Sequence, residues 1–308
     1  MMRRSLIQIL IALLAAPWAA YPAERETRDF ATREDGARIA YYSIGRANTV
    51  PLLIVAGGPG SDTRYMRVGG ALDALARNRT IVFYDQRGIG RSTDVDGTET
   101  IDQFVEDVEA VRKAVGAPVV DLLGHSFGGY LAIAYTAKHP DHVRGLVFVA
   151  SPPPKIADVI QLMDQVYPDR IEAWREKRPT LDKNTTGADI ALYLTMEFVD
   201  QRKMTEYVAA LAKFRFNFDV NNDLRRDVAL QDYWPQVRQF QQRALVINGR
   251  YDAIVPPANA WALHKALRNS SLQIMEGTGH SPHFEKPAAF LAIVRPFLHS
   301  LDRDARPH

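Results

Sequence analysis

The 308-residue sequence contains no cysteine, and its charges nearly cancel, with 38 Lys and Arg residues against 36 Asp and Glu residues. The missing thiols exclude disulfide frameworks, thiolate zinc sites and cysteine nucleophiles. The even charge balance and the lack of a basic run argue against a nucleic-acid-binding surface. Because 46% of the residues are hydrophobic, the chain has enough apolar material for a large folded core.

A long apolar run of the kind that spans a bilayer is also missing. Residues 6–16 are almost wholly apolar but too few to cross a membrane. They follow a basic start and precede small residues around Ala20, which is the layout of a secretory signal. We therefore expect residues 1–23 to be a signal peptide and the chain to be exported, to the periplasm or outside the cell. Anchoring by an uncleaved N-terminal helix is the alternative.

Short apolar runs alternate with amphipathic stretches along most of the remaining chain. This alternation is typical of an α/β fold with a mostly parallel sheet and helices on both faces. Strands are predicted at residues 38–43, 51–56, 80–84, 118–123, 143–150, 244–248 and 271–275. Helices are predicted over residues 100–115, where Thr100 and Gln103 form a capping box, and over residues 287–301.

The alternation stops after Ser151, where Pro152, Pro153 and Pro154 interrupt the strand pattern. The segment that follows shows helical periodicity and many aromatic residues. Parallel-strand patterns return only near Ala244. We interpret residues 24–151 and 236–308 as the core and residues 152–235 as a helical cap inserted over the edge of the sheet.

A Gly-x-Ser-x-Gly pentapeptide at residues 124–128 joins a predicted buried strand to a predicted apolar helix. An abrupt turn from strand to helix strains the serine backbone and exposes its hydroxyl, and the glycines avoid clashes there. Ser126 is therefore the candidate nucleophile. The N–H of Phe127 at the helix start is a candidate donor to an oxyanion. The alternative is a glycine-rich turn with an inert serine.

Hydrolases whose nucleophilic serine lies in such a turn carry an acidic residue and then a histidine later in the chain, and both follow Ser126 here. Asp252 comes after the strand predicted at residues 244–248, and His280 lies in a glycine-flanked loop after the last strand. His280 is expected to take and return the serine proton, while Asp252 fixes its tautomer. His283 is an alternative base, and His125 is expected to be structural or to line the pocket.

The loop after the strand at residues 51–56 reads Ala-Gly-Gly-Pro-Gly. Small residues let backbone N–H groups approach a substrate oxygen. We predict Gly58 as the second oxyanion donor, with Gly57 in reserve as a donor or substrate-binding residue. The alternative is a turn selected only for its tightness.

Several motifs together resemble the proline iminopeptidase branch of the α/β-hydrolases, peptidase family S33. They are GGPG at residues 57–60, DQRGIGRS at 85–92, GHSFGG at 124–129, GRYD at 249–252 and GTGH at 277–280. The resemblance implies the α/β-hydrolase fold and an enzyme that releases an N-terminal proline, or another small or apolar residue, from peptides.

The resemblance also implies that acidic residues of the cap recognise the free amino group. Glu197 is the candidate amine-binding carboxylate, and the alternative, favoured by the usual exposure of glutamate, is a solvated helix face. Ala56 stands where the family usually has a histidine. A carboxylesterase or lactonase on the same machinery stays open as the alternative activity.

The expected reaction is acyl transfer through Ser126, which uses side chains and backbone alone. No metal or organic cofactor is predicted, and the expected partner is a small-molecule or short-peptide substrate. A non-catalytic binding protein with this fold is the alternative from another class, and the complete Ser-Asp-His order disfavours it. No stable membrane span is expected apart from an uncleaved leader, and the sequence does not indicate an oligomeric state.

Overall fold

The computed structural model describes residues 26–45, 49–94 and 98–304. The predicted signal peptide, residues 1–23, lies outside these described residues. In the ranges described, no helix combines the length and the apolarity needed to cross a bilayer.

The described residues form ten strands, eight of which build one central sheet. The strands are β1 (Thr27–Thr32), β2 (Arg38–Ile44), β3 (Leu52–Val55), β4 (Ile81–Tyr84), β5 (Val120–His125), β6 (Val143–Val149), β7 (Thr185–Thr186), β8 (Arg215–Phe216), β9 (Arg243–Gly249) and β10 (Ser270–Met275). The order across the sheet is β1-β2-β4-β3-β5-β6-β9-β10.

Six neighbouring strands, from β4 to β10 across the sheet, run parallel, while β1 and β2 pair antiparallel at one edge. Strands β3 and β4 are buried along their whole length, as expected for parallel strands covered on both faces. The predicted α/β fold is confirmed. Strand β1 was not predicted, because most of its side chains are exposed and it carries no apolar alternation.

The described residues form eleven α-helices, some of which cover the two faces of the sheet. They are α1 (Ile101–Ala114), α2 (Phe127–Lys138), α3 (Met163–Val166), α4 (Pro168–Lys177), α5 (Ala191–Leu194), α6 (Gln201–Leu211), α7 (Phe218–Val228), α8 (Trp234–Val237), α9 (Pro257–Ala266), α10 (Pro282–Glu285) and α11 (Pro287–Asp304). Helices α1, α2 and α9 share one apolar cluster with the sheet, and α11 belongs to a second cluster on the opposite face. The predicted capping box of α1 forms, with Gln103 N–H donating to Thr100 and Thr100 N–H donating to Gln103.

Strand β5 begins two residues later than predicted and runs on to His125. Pro118 has no N–H to donate to a ladder, whereas His125 still pairs with Val149 of β6. The strand therefore delivers the chain directly to Ser126.

Helices α3 to α8 and strands β7 and β8 lie between β6 and β9 and do not join the large sheet. The predicted cap, residues 152–235, falls within this segment. Phe216 bridges to Ser61 in the loop after β3, and the N–H of His280 donates to the carbonyl of Glu197 at 2.7 Å. The inserted segment thus sits over the carboxyl ends of β3 and β10, where open α/β sheets place their sites.

Candidate active site

Ser126 occupies a strained turn between β5 and α2. Its backbone angles, φ 52° and ψ −127°, lie in a region that residues with a side chain seldom adopt. Such a conformation costs about 1–3 kcal/mol and persists because its surroundings impose it. The Ser126 N–H donates to Val149 of β6 at 2.9 Å and its carbonyl accepts from Gly129 at 2.8 Å, so both sides of the turn are anchored.

The glycines around Ser126 are required by close approach of neighbouring backbone. A Cβ on Gly128 would lie 2.0 Å from the carbonyl oxygen of Val55, and one on Gly124 would lie 2.4 Å from that of Gly128. A Cβ on Gly129 would meet Ser151 Oγ at 1.9 Å. The glycines of the pentapeptide therefore avoid clashes with neighbouring backbone and side chains, as predicted from the sequence.

His280 and Asp252 form a buried hydrogen-bonded pair, with His280 Nδ1 2.8 Å from Asp252 Oδ2. The other carboxylate oxygen accepts the N–H groups of Ile254 and Val255, each at 2.9 Å, so the Asp252 side chain cannot rotate away. Burial by itself lowers the pKa of His280, but the charge and hydrogen bond of Asp252 outweigh it, and the pKa lies above its ordinary value.

Ser126 and His280 face a common cavity of about 350 Å³, which Gly58 and Phe127 also line. The Ser126 hydroxyl makes no hydrogen bond to His280 or to any other group in the described part of the chain. Catalytic hydrogen bonds are often long before substrate binds, so a shared cavity is the relevant geometry.

The two glycines of the loop after β3 differ in role. The Gly57 N–H donates to the hydroxyl of Tyr65 at 2.5 Å, so it is not available to a substrate oxygen. The Gly58 N–H has no partner among the described residues, and Gly58 adopts a positive φ of 44° and lines the cavity. Gly58 thus remains the donor candidate, and Gly57 serves to pack the loop against Ser126.

The DQRG segment holds this loop in place. Gln86 accepts the Gly60 N–H at 3.2 Å and donates to the carbonyl of Ala56 at 3.0 Å, spanning the loop from both ends. Arg87 points away and pairs with the buried Asp107. The motif is recognisable in the sequence, but the role of Gln86 follows only from these contacts.

A hydrogen-bonded chain through Tyr65 and His125 links the glycine loop to the histidine loop. His125 Nδ1 lies 2.8 Å from Tyr65 Oη, and His125 Nε2 lies 2.9 Å from the carbonyl oxygen of His280. Burial, followed by the charge of His280, lowers the pKa of His125 well below its ordinary value, so the ring is neutral. Because a carbonyl only accepts, Nε2 carries the proton and the Tyr65 hydroxyl donates to Nδ1. His125 thus holds the two loops together and also lines the cavity, and no sequence motif pointed to Tyr65.

His283, the alternative base, does not line the cavity. It is buried, neither ring nitrogen has a hydrogen-bond partner among the described residues, and its ring lies 5.0 Å from that of His125. Burial lowers the pKa of His283 to about 3. Its position leaves His280 as the candidate base.

Glu197 lies in the bend after α5, lines the cavity and is only 8% exposed. The expectation of a solvated helix face is therefore wrong. Glu197 is buried because its backbone carbonyl binds the His280 N–H, which holds the residue beneath the cap. Burial raises the pKa of Glu197 to about 7, against the lowering effect of His280 and of a 3.3 Å hydrogen bond from Ser281.

One group outside the cavity has the composition of a metal site. Glu109, His139 and His142 can place one ligand atom each within 4.8 Å of one another. Glu109 already accepts from Arg112 at 2.6 and 2.8 Å and from Tyr135 at 2.8 Å. Burial alone raises the pKa of Glu109, but the Arg112 hydrogen bonds outweigh it and lower it to about 2. We assign Glu109 instead to an ion pair with Arg112 within α1 and to a hydrogen bond from Tyr135 of α2.

The alpha/beta hydrolase fold family model matches residues 50–287. Curated relatives include a proline iminopeptidase from Xylella fastidiosa, 28% identical over 289 residues that cover 80% of this chain and 88% of the relative. Another, from Saccharolobus solfataricus, is 28% identical over 277 residues that cover 84% of this chain and 88% of the relative. The resemblance to the proline iminopeptidase branch is thereby confirmed.

Solved structures share the fold at lower identity. A thermophilic esterase from Thermogutta terrifontis matches with a TM-score of 0.71 at 20% identity. The match covers 90% of this chain and 99% of the esterase chain. A meta-cleavage product hydrolase from Pseudomonas fluorescens has a TM-score of 0.70 at 19% identity, covering 86% of this chain and 95% of that one. At these identities the likeness concerns the fold alone. From the family match and the iminopeptidase relatives, the chain belongs to the α/β-hydrolase fold family and is a hydrolase.

Proposed function

We propose that this hydrolase is an aminopeptidase that releases proline, or another small N-terminal residue, from short peptides through an acyl-enzyme on Ser126. The observation that carries the proposal is the buried 2.8 Å contact between His280 and Asp252 beside a cavity that Ser126 and Glu197 share. This contact supports the proposal, because the proposed base, the proposed nucleophile and a carboxylate line one substrate-sized cavity.

In the first step, Ser126 Oγ attacks the carbonyl carbon of the first peptide bond while His280 Nε2 takes the hydroxyl proton. Asp252 holds the other ring nitrogen and stabilises the imidazolium that forms. The developing oxyanion accepts hydrogen bonds from the N–H groups of Gly58 and Phe127. Phe127 is the first residue of α2, so its N–H has no partner within the helix.

Collapse of the tetrahedral intermediate breaks the peptide C–N bond, and His280 gives its proton to the leaving amine. A water molecule then attacks the acyl-enzyme, again losing its proton to His280. The tetrahedral intermediate releases Ser126, which regains a proton, and the free N-terminal amino acid departs. Every proton transfer thus uses the same imidazole.

Glu197 is the proposed partner of the substrate amino group. Its pKa of about 7 means that a substantial fraction is ionised at neutral pH, and an ammonium ion beside it favours the ionised form further. The surrounding wall is aromatic and apolar, with Tyr207, Phe216 and Leu211 among the lining residues, which suits the ring of a proline.

A carboxylesterase is the second candidate, and one observation favours it. Glu197 is the only carboxylate that lines the cavity in the described part of the chain, whereas the resemblance implies several acidic residues around the amine. A site with one titrating carboxylate also accepts an uncharged acyl group, for which an ester is the ordinary substrate. The catalytic steps are the same for both.

Export remains a proposal that rests on the sequence of residues 1–23. The apolar stretch behind a basic start supports it. Expression of the full chain, followed by fractionation and N-terminal mass determination, tests it: a shortened protein outside the cytoplasm agrees with export and cleavage. A full-length protein in the membrane fraction agrees with an uncleaved anchor instead.

The activity is tested by supplying chromogenic prolyl and alanyl anilides and short p-nitrophenyl esters side by side to the protein without residues 1–23. We expect cleavage of the anilides, abolished in Ser126→Ala. Hydrolysis of esters alone contradicts the aminopeptidase proposal, and full activity of Ser126→Ala contradicts the triad. His283→Ala is the matched control for His280→Ala, because only the second change removes the proposed base.

A further inference from the structure

The cavity carries a second polar feature, at the wall formed by α4 and α7. Arg178 and Arg225 both line it, and the carbonyl oxygen of the Asn221 side chain accepts from both guanidinium groups, at 3.1 and 3.2 Å. Two like charges that share one acceptor repel each other, and burial and Arg225 accordingly lower the pKa of Arg178.

Neither arginine forms a salt bridge within the part of the chain that the structure describes. Arg178 donates to the amide oxygens of Asn221 and Asn222 and lies 5.9 Å above the ring of Phe218. Amide oxygens orient a guanidinium but leave its charge uncompensated. Guanidinium groups pair most favourably with carboxylates, by two parallel hydrogen bonds.

Asn221 also fixes where this pair sits relative to the reaction centre. Its side-chain N–H donates to the carbonyl oxygen of Pro59 at 3.1 Å, directly after the oxyanion candidate Gly58. The arginines are therefore tied to the oxyanion loop by a single side chain. Glu197 is tied instead to the histidine loop, since its carbonyl oxygen accepts from the His280 N–H.

The cavity is thus polarised, with a carboxylate on the histidine side and two arginines on the α7 side. Tyr193 also lines the cavity, and the charge of Glu197 and those of both arginines act on its hydroxyl. A substrate that matches both ends has an ammonium group at one end and a carboxylate at the other.

We propose that Arg178 and Arg225 bind the C-terminal carboxylate of a very short peptide, so that the preferred substrate class is the zwitterionic dipeptide. This inference rests on the proposed aminopeptidase function and adds the leaving-group side to it. The ammonium meets Glu197, the first carbonyl carbon lies at Ser126, and the carboxylate of the second residue reaches the arginines. Longer peptides carry their carboxylate farther from the first carbonyl carbon, and C-terminal amides carry none.

Binding to the Ser126→Ala protein tests the inference without turnover. Isothermal titration calorimetry compares prolyl-alanine with prolyl-alaninamide, which differ only in the terminal carboxylate. We expect the acid to bind about tenfold more tightly or better, as charged hydrogen bonds imply. In the combined Arg178→Gln and Arg225→Gln protein the preference for the acid should fall below about threefold.

Arg226→Gln is the matched control, because Arg226 is the next residue of α7 and exposed like Arg225, but it pairs with Asp223 and does not line the cavity. It removes the same charge and should keep the acid preference, and thermal unfolding verifies that each variant is folded. The inference is overturned if the Ser126→Ala protein binds prolyl-alanine and prolyl-alaninamide equally well, or does not bind prolyl-alanine. It is also overturned if Arg226→Gln loses the preference for prolyl-alanine.

Turnover of prolyl anilide by the protein with Ser126 intact separates the two proposals. If the anilide is cleaved but prolyl-alanine binds no more tightly than prolyl-alaninamide, the aminopeptidase proposal is supported and the carboxylate site is contradicted. If tighter binding of prolyl-alanine depends on Arg178 and Arg225 but neither the anilide nor the dipeptide is cleaved, the carboxylate site is supported and the aminopeptidase proposal is contradicted.

Discussion

The Tyr65 hydroxyl connects the glycine loop to the histidine loop, and its removal tests the architecture of the site. Tyr65→Phe deletes one oxygen atom and leaves the ring in place. Two buried groups lose their partner, the Gly57 N–H and His125 Nδ1. A buried polar group without a partner costs about 1–3 kcal/mol, so the free energy of unfolding should fall by about 2–6 kcal/mol. This is large against the roughly 5–15 kcal/mol that stabilises a typical protein.

The same change should affect catalysis through the oxyanion loop. Without the Tyr65 hydroxyl, the Gly57 N–H must find another partner, which shifts the neighbouring Gly58. Complete loss of an oxyanion donor lowers kcat by about 100- to 1,000-fold, so a displaced donor should lower kcat by less than this, on the order of tenfold. KM for prolyl anilide should change little, because Tyr65 is not proposed to hold the amine.

Urea unfolding followed by tryptophan fluorescence measures the change in the free energy of unfolding. Tyr130→Phe is the matched control, since Tyr130 is fully buried on α2 and its hydroxyl has no partner among the described residues. That variant should be as stable as the parent or slightly more so. A Tyr65→Phe protein within 1 kcal/mol of Tyr130→Phe, a difference below the cost of one unsatisfied group, would refute the proposed network.

Three further outcomes are expected. Glu197→Gln should raise KM for prolyl anilide about tenfold or more and leave ester turnover nearly unchanged, and an equal loss on both substrates contradicts amine binding. Because Asp252 raises the pKa of His280, and the base must be neutral, kcat/KM for an ester should increase with pH through a midpoint above 6.5, which Asp252→Asn should lower. An ester is the substrate for this measurement because its turnover does not need ionised Glu197. Gly128→Ala should cost about 1–3 kcal/mol of stability in urea, since its Cβ would lie 2.0 Å from the Val55 carbonyl oxygen, and an unchanged midpoint contradicts that packing.

The residues that could be predicted from sequence are those whose role is local or fixed by chain order. Ser126 is flanked by glycines that the turn requires, and Asp252 and His280 follow strands in the order of the family. The α1 capping box needs only four consecutive residues, and it forms as predicted. The buried inner strands were recognisable because parallel strands are apolar throughout.

The features that sequence did not reveal depend on contacts between distant segments. Arg178 meets Asn221 across 43 positions, and Tyr65 meets His125 across 60. Neither separation follows a sequence pattern that predicts a contact between the two residues. Glu197 was expected on a solvated face because glutamate is usually exposed, yet a backbone hydrogen bond to the histidine loop buries it.

Ser126 is proposed to be a nucleophile that His280 activates. Treatment of the protein with a fluorophosphonate, which forms a covalent adduct with activated serines, and peptide mapping by mass spectrometry test it most directly. We predict one adduct per chain, located on Ser126, with labelling strongly slowed in His280→Ala and retained in His283→Ala. An unmodified Ser126, or labelling that is as fast without His280, would contradict the account.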